Sequence, residues 1–345
     1  MKILVTGSAG FIGAFLCKRI LRNADNQVIG VDNLNNYYDV SLKEERLKML
    51  EAFDNFTFLK GDISDKSFIE KLFSKEKFDI VINLAAQAGV RYSIDHPDVY
   101  IESNIIGFFN ILEACRYNPV KHLIYASSSS VYGDNDKIPF STDDKVDKPV
   151  SLYAATKKSD ELLAYAYSKL YKIPTTGLRF FTVYGPMGRP DMAYFSFAKK
   201  LINNETIEIF NYGNCKRDFT FIDDIVEGIV KVMEKPPFSN DNDSDVPPYK
   251  IYNIGNNKPE NLLDFVKILS EELVNAGVLP SDFDFDAHKK LVPMQKGDVP
   301  ITYADTSDLE KDFGYKPSTN LREGLRQFSK WFFEYYVKGA DIKWK

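Results

Sequence analysis

Cysteine and histidine are scarce, with three of each in 345 residues. Cys17, Cys115 and Cys215 form an odd set without C-x-x-C spacing, which suggests neither a disulfide framework nor a zinc site. His96, His122 and His288 are too scattered to suggest a metal centre. The chain has no long run of Lys and Arg, and its formal net charge is −5, which speaks against nucleic acid or an anionic membrane as the main partner. No apolar run approaches the length that spans a bilayer. Met1–Gly7 enters an apolar run at once and turns at glycine, without the pattern of a secretion signal. These absences set the expectation of a cytoplasmic chain that acts on a small molecule. A hydrophobic fraction of 44% supports an ordinary core and excludes disorder.

Up to about residue 126, short β-branched runs alternate with longer amphipathic ones. The predicted strands are Ile3–Val5, Val28–Val31, Phe56–Leu59, Ile80–Ile82 and Leu123–Tyr125. Phe11, Ile12, Phe15, Leu16, Ile20 and Leu21 recur at helical spacing, as do residues near Phe68–Phe73 and Val99–Cys115. This pattern reads as an α/β, Rossmann-type, doubly wound parallel sheet. It continues with a helix from Ser151 to about Tyr171 and an extended run, Thr175–Phe181. Beyond it, residues 184–200, 236–248 and 277–300 carry Gly, Pro, Asn and Asp clusters, and helices return at Leu262–Ala276 and Leu321–Val337. The division expected is a dinucleotide-binding domain over 1–180 and a smaller, irregular α/β lobe over 181–345, with some chain crossing back to the first domain.

After the first strand stands Gly7-Ser8-Ala9-Gly10-Phe11-Ile12-Gly13, leading directly into the first helix. Glycines there permit a tight turn and bring helix N-terminal N–H groups close to a pyrophosphate. Asp32 follows the second strand, where a carboxylate binds both ribose hydroxyls of NAD and repels the 2′-phosphate of NADP. Strand, turn, helix, strand and acid in this order identify an NAD site. Asp62-Ile63 after the third strand is a candidate for the adenine, and Leu84-Ala85-Ala86 after the fourth for the dinucleotide backbone; both also suit loop chemistry and helix packing.

Tyr153 and Lys157 stand at i and i+4 on one face of the predicted helix. A cation at that distance favours phenolate, which suits a base near neutral pH. The same Y-x-x-x-K spacing recurs at Tyr117/Lys121, Tyr165/Lys169 and Tyr212/Lys216. Pro119 and Gly213 break the first and last, and Tyr165 lies about 18 Å along the helix from Tyr153. Ser127-Ser128-Ser129-Ser130 ends the fifth strand, either as ligand contacts or as a capping loop. A hydroxyl, a tyrosine and a lysine beside a nicotinamide suit removal of an alcohol proton while a hydride leaves its carbon.

The chain resembles the extended short-chain dehydrogenase/reductase family, and within it the UDP-glucuronate 4-epimerases. The resemblance covers nearly the whole chain and rests on Thr6–Gly13, Asn83–Ser93, Ser127–Gly133, Tyr153–Lys157, Arg179–Ala193, Arg217–Asp224 and Met294–Val299. The chain departs from the family's usual His at Asn83 and Trp at Met187, neither of which carries the chemistry. Gln295 stands where UDP-glucose epimerases and UDP-glucuronate decarboxylases tend to have Arg. The resemblance implies an isomerase that inverts C4 of UDP-glucuronate through a transient 4-keto sugar with bound NAD. Ser128, Tyr153 and Lys157 are then the catalytic hydroxyl, base and base-tuning lysine, and Arg217 binds the UDP pyrophosphate. Ser128, Ser129, Ser130, Thr182 and Arg189 are expected to hold the sugar carboxylate against loss of CO₂, with Arg91 and Asp298 also on the substrate side. A homodimer through the helices at Val99–Cys115 and Ser151–Tyr171 is expected too. UDP-glucose 4-epimerase, UDP-glucuronate decarboxylase and a non-catalytic NAD-binding regulator are the competing readings.

Overall fold

A computed structural model describes residues 1–238, 245–294 and 300–339. Gln295 and Asp298 lie outside the described residues. The chain folds as two compact units. The first contains Met1–Phe180, Val226–Ile254 and Asp305–Lys316; the second contains Phe181–Ile225, Gly255–Ala304 and the described residues from Pro317 on.

The apolar runs of the first unit are too short to be helices and too apolar to face water on either side, so they form a parallel sheet that helices cover. Its seven strands lie in the order Tyr249–Ile254, Thr175–Phe180, His122–Ser128, Ile80–Asn83, Lys2–Thr6, Gln27–Asp32 and Phe56–Lys60. Lys2–Thr6 pairs on one side with Gln27–Asp32 and on the other with Ile80–Asn83. The strand order reverses there, and such a switch point opens a crevice at the carboxyl ends of the strands. Leu4, Val81 and Leu123 of the sheet pack in one buried cluster with Ile69 and Phe73 of helix Lys66–Lys75 and with Phe108, Ile111 and Cys115 of helix Gly107–Tyr117.

The helix expected near Val99–Cys115 has a wide turn inside it. Helical residues Pro97–Tyr100 lead into a π-helical stretch, Ile101–Ile106, and then into Gly107–Tyr117. Helix Leu152–Tyr171 starts where the Ser151 hydroxyl accepts the Ala154 N–H at 3.1 Å, and it ends at Lys172 in the left-handed region. The structure adds helix Ser41–Glu51 and strand Tyr249–Ile254 to the predicted elements of this unit.

In the second unit, Lys216–Phe221 pairs parallel with Thr182–Tyr184 and antiparallel with Pro259–Asn261. A second, two-stranded sheet joins Ile207–Ile209 to Lys289–Leu291. Helix Ala193–Ile202 forms inside the stretch read from its Gly and Pro clusters as loose. With helices Leu262–Asn275 and Leu321–Phe332 it encloses an aromatic core, in which Phe219 stacks on Phe265 at 4.1 Å and Phe328 meets Tyr194 at 4.9 Å. Among the described residues no helix is long and apolar enough to cross a membrane.

Candidate active site

The glycine turn sits at the carboxyl end of Lys2–Thr6. Gly7 takes a φ of +71°, which favours glycine. A Cβ on Gly7 would stand 2.8 Å from the Ala85 nitrogen, and one on Gly13 would stand 2.1 Å from the Gly7 carbonyl oxygen. The first glycine therefore lets the Leu84–Ala85 chain lie against the turn, and the third lets the helix begin against it. Gly10 caps helix Phe11–Leu21 with no side chain. The first-turn N–H groups of Phe11, Ile12 and Gly13 have no intrahelical partner, which is the arrangement that receives phosphate.

Asp32, at the end of its strand, is nearly enclosed. One carboxylate oxygen accepts the Ala9 N–H at 3.2 Å, and the other accepts the Leu34 N–H at 2.9 Å. Two cations unmarked by the motif stand beside this turn. Lys43 Nζ lies 3.8 Å from Asp32, and buried Arg46 donates to the Ala9 carbonyl at 3.0 Å. Burial lowers the pKa of the Lys43 ammonium although Asp32 works against the shift. The available sequence signal is Lys43 and Arg46 at i and i+3 in Ser41–Glu51.

Asp62 accepts from Asn33 Nδ2 at 2.7 Å and from the Ser64 N–H at 2.9 Å. Burial raises its pKa, but these hydrogen bonds overcome that and hold it below the usual carboxylate range. Ile63 packs beneath Gly107, where an added Cβ would stand 2.6 Å away. Leu84, Ala85 and Ala86 pass the glycine turn, and the Ala85 N–H donates to Thr6 Oγ1 at 3.2 Å. Ser8 Oγ is buried with no partner among the described residues. An uncapped helix start, a glycine cradle and a carboxylate at the next strand end together fit a dinucleotide.

Further along the same sheet edge, Ser128 Oγ accepts from the Ser130 N–H at 3.2 Å and the Ser130 hydroxyl at 2.9 Å. The capping reading of the serine run therefore holds for Ser128, which keeps its own O–H to donate. Ser127 is turned away and donates to Glu161 at 2.7 Å. Tyr153 is half-buried, with its ring edge-on to Tyr100 at 6.0 Å. Lys157, one turn on, is buried and donates to the Ala126 carbonyl at 3.0 Å and to Asp160 Oδ2 at 3.2 Å. Burial pushes the Asp160 pKa up to about 7, against the pull of Lys157.

Asn104, in the π-helical stretch, braces this arrangement. It accepts the Gln87 N–H at 2.8 Å and donates to the Gln87 carbonyl and to Thr156 Oγ1, each at 3.0 Å. Thr156 in turn donates to the Tyr153 carbonyl at 2.8 Å. The other Tyr–Lys spacings lead elsewhere. Tyr165 is exposed and edge-on to Tyr249, Lys169 reaches Asp245, Tyr117 is exposed, and Tyr212 has a positive φ outside any regular helix.

Arg91 lies in the first unit, exposed at the start of helix Tyr92–Asp95. Thr182, Arg189 and Arg217 belong to the second unit. Thr182 is opposite Phe219 in the sheet register. The Arg189 guanidinium forks onto Asp191, at 3.0 and 2.5 Å. Arg217 donates to the carbonyls of Lys216 and Pro300 at 3.0 and 3.2 Å. Asp218 is fully buried and accepts the N–H groups of Asn256 and Ala304, and burial pushes its pKa up to about 6. No group of three His, Cys, Asp or Glu among the described residues suits a metal ion.

The chain is similar to known proteins over most of its length. The profile of the NAD dependent epimerase/dehydratase family matches residues 3–255. Protein CapI of Staphylococcus aureus is 51% identical, over 98% of this chain and all of the relative. UDP-glucuronate 4-epimerase 2 of Arabidopsis thaliana is 45% identical, over 99% of this chain and 77% of the relative. Among solved structures, the UDP-glucuronic acid 4-epimerase of Bacillus cereus in complex with UDP-glucuronic acid and NAD superposes with a TM-score of 0.85 at 34% identity, covering 97% of this chain and 100% of that one.

Proposed function

The chain belongs to the NAD dependent epimerase/dehydratase family, and on that premise we propose that it interconverts UDP-glucuronate and UDP-galacturonate by inverting C4. The observation that carries this reading is the similarity, over 97% of the chain, to a solved structure that holds both UDP-glucuronic acid and NAD. The Ser128, Tyr153 and Lys157 placement on the sheet edge supports it.

Gly7, Ala9, Gly10, Phe11, Ile12 and Gly13 would hold the pyrophosphate of NAD, and Asp32 its adenosine ribose. Asp62 and Ile63 would border the adenine, and Leu84, Ala85 and Ala86 the rest of the dinucleotide. Bound NAD would supply a reversible hydride acceptor. Tyr153 takes the proton from the 4-hydroxyl and returns it after the sugar turns. Ser128 donates its O–H to the same oxygen, and Lys157, fixed by Ala126 and Asp160, holds positive charge beside the phenolate. Because the hydride is returned in each turnover, inversion occurs without net oxidation.

A 4-keto group is β to the C6 carboxylate, and such acids lose CO₂ when the breaking bond aligns with the carbonyl π-system. Ser129, Ser130 and Thr182 offer neutral donors to hold the carboxylate out of that alignment, and Arg189 offers a charged one in exchange for Asp191. Arg217 takes the UDP pyrophosphate, with Arg91 also on the substrate side.

We assign the exposed apolar side chains Ile101, Ile106, Phe109, Leu162, Tyr165 and Leu170 to the interface of a homodimer. The three cysteines are free and buried, which suits the reducing cytoplasm. A proton NMR time course with UDP-glucuronate and NAD tests the main reading. UDP-galacturonate that settles to a mixture without NADH accumulating is the expected result. A UDP-pentose product, or turnover of UDP-glucose with UDP-glucuronate untouched, would replace it.

A further inference from the structure

Within helix Leu152–Tyr171, Asp160 is a buried carboxylate with only one of its two oxygens in use among the described residues. Asp160 is 2% exposed, and Oδ2 meets Lys157 Nζ at 3.2 Å. Its other oxygen, Oδ1, is buried without a hydrogen-bond partner among the described residues. A purely structural carboxylate in such a position uses both oxygens, as Glu161 beside it does with Arg179, Lys158 and Ser127. Helical spacing puts Tyr153 four residues before Lys157 and Asp160 three residues after it, so the lysine has the phenol on one side and the carboxylate on the other.

We propose that Asp160 tunes the base: it partly neutralises the Lys157 ammonium, weakens the pull of that cation on the Tyr153 phenolate, and so raises the pH at which Tyr153 accepts a proton from substrate. The proposal rests on the assignment of Tyr153 as base. Asp160 is a positioning residue in this account, since it acts only through Lys157.

Among the described residues, Lys157 is the one cation that acts on Asp160. On its own helix, Glu161 is bonded by Arg179 and Lys158, and its remaining charge adds to the upward push on the Asp160 carboxyl. From the adjacent strands come the Tyr125 and Tyr249 phenols, hydrogen-bonded to each other at 2.7 Å, and burial pushes both well up, so they stay neutral. With its pKa near 7, Asp160 changes charge in the range where the enzyme would work, so the damping strengthens as pH rises.

Asp160→Asn keeps the shape and an oxygen for Lys157 and removes the charge. The expected result is an acidic limb of kcat that moves to lower pH by about one unit. A limb that stays in place or moves upward overturns the proposal, and so does a fall in kcat at every pH with no shift. Ultraviolet difference titration of the phenolate in the NAD complex, with Tyr153→Phe as the reference, reads the same quantity without turnover. In a Lys157→Met background the Asp160→Asn shift should vanish, and its persistence would equally overturn the proposal. Asp160→Ser is the second variant should Asp160→Asn fail to fold, with the same shift expected. The epimerase reading fails separately: wild-type protein that leaves UDP-glucuronate unchanged refutes that reading, while the phenolate titration still decides the role of Asp160.

Discussion

Glu161 and Arg179 form a buried, two-bond fork beneath the catalytic helix, Nε to Oε1 at 2.8 Å and Nη2 to Oε2 at 2.9 Å. The fork joins helix Leu152–Tyr171 to strand Thr175–Phe180, and it extends through Arg179 Nη1 to the Tyr132 hydroxyl at 3.0 Å and from there to Asn253 Oδ1. Removing Glu161 leaves Arg179 as an uncompensated buried charge, whereas removing Arg179 leaves Glu161 paired with Lys158 at 3.1 Å. Glu161→Ala should cost about 3–5 kcal/mol of stability and Arg179→Ala less, while the double variant should cost less than the sum. Urea unfolding of the four proteins checks this, and additive losses would mean that the two groups do not act as a pair.

Replacing the proposed base tests the chemistry directly. Tyr153→Phe should lose at least about a hundredfold in kcat, while the glycine turn and Asp32 still bind NAD. Parallel measurement of NAD affinity and of UDP-glucuronate turnover separates these effects. Retained turnover would remove Tyr153 from its proposed role.

Control of decarboxylation should be separable from epimerisation. Thr182→Ala and Arg189→Ala are expected to release CO₂ and form a UDP-pentose, each weakening the hold on the substrate carboxylate. Isotope-labelled substrate and headspace counting follow this. Kinetics that match the wild type, with no labelled CO₂, count against the assignment.

His122 gives the fold an acid limit. Its ring is fully buried, with Nε2 2.8 Å from Thr176 Oγ1, and burial lowers its pKa from 6.5 to about 4. The folded state therefore binds this proton less readily than the unfolded chain does. The associated stability is complete above about pH 6.5 and is lost as pH falls toward 4, by up to about 3 kcal/mol. Melting temperatures of wild type and His122→Gln over this range should show a flatter acid slope for the variant. Parallel slopes would place the acid sensitivity elsewhere.

The apolar positions on helix Leu152–Tyr171 predict the assembly state. Leu162 is 61% exposed, so a charge there costs the folded chain little on its own. Leu162→Glu should convert a dimer to a monomer in analytical ultracentrifugation with the melting profile of the isolated chain preserved. A wild-type protein that sediments as a monomer would remove the interface.

The parts of the site built from short local signals were legible in the sequence. Gly7, Gly10 and Gly13 have to be glycine because backbone comes within contact of where a Cβ would stand, and the runs at Ile3–Val5 and Ile80–Ile82 have no polar face to show water. The strand Tyr249–Ile254 was missed because its pairing with Thr175–Phe180 spans a long sequence separation and a turn-rich stretch. Helix Ala193–Ile202 was hidden behind the Gly and Pro cluster that precedes it, although its Tyr194, Phe195, Ala198 and Leu201 share one buried face. Helix Ser41–Glu51 is largely charged, and its lysine and arginine matter through Asp32 and Ala9, contacts between segments far apart in the chain. Asp160 stood in plain view, but its importance comes from enclosure, which composition does not report.

The wide turn at Ile101–Ile106 has a consequence for what this stretch of chain can tolerate. A π-helical turn takes up one more residue than an α-helical one. Deleting one residue there would let the wide turn close to a regular one, so the helix from Gly107 onward would keep its phase. Phe108, Ile111 and Cys115 would stay in the core, and the loss would fall on Asn104, whose side chain ties Gln87 to Thr156. Ile101 and Ile106 face outward, so their identities are open to change by substitution as far as the monomer's own packing is concerned. The wide turn thus holds one residue more than the packing of the helix needs, and Asn104 is the residue that puts the extra length to use.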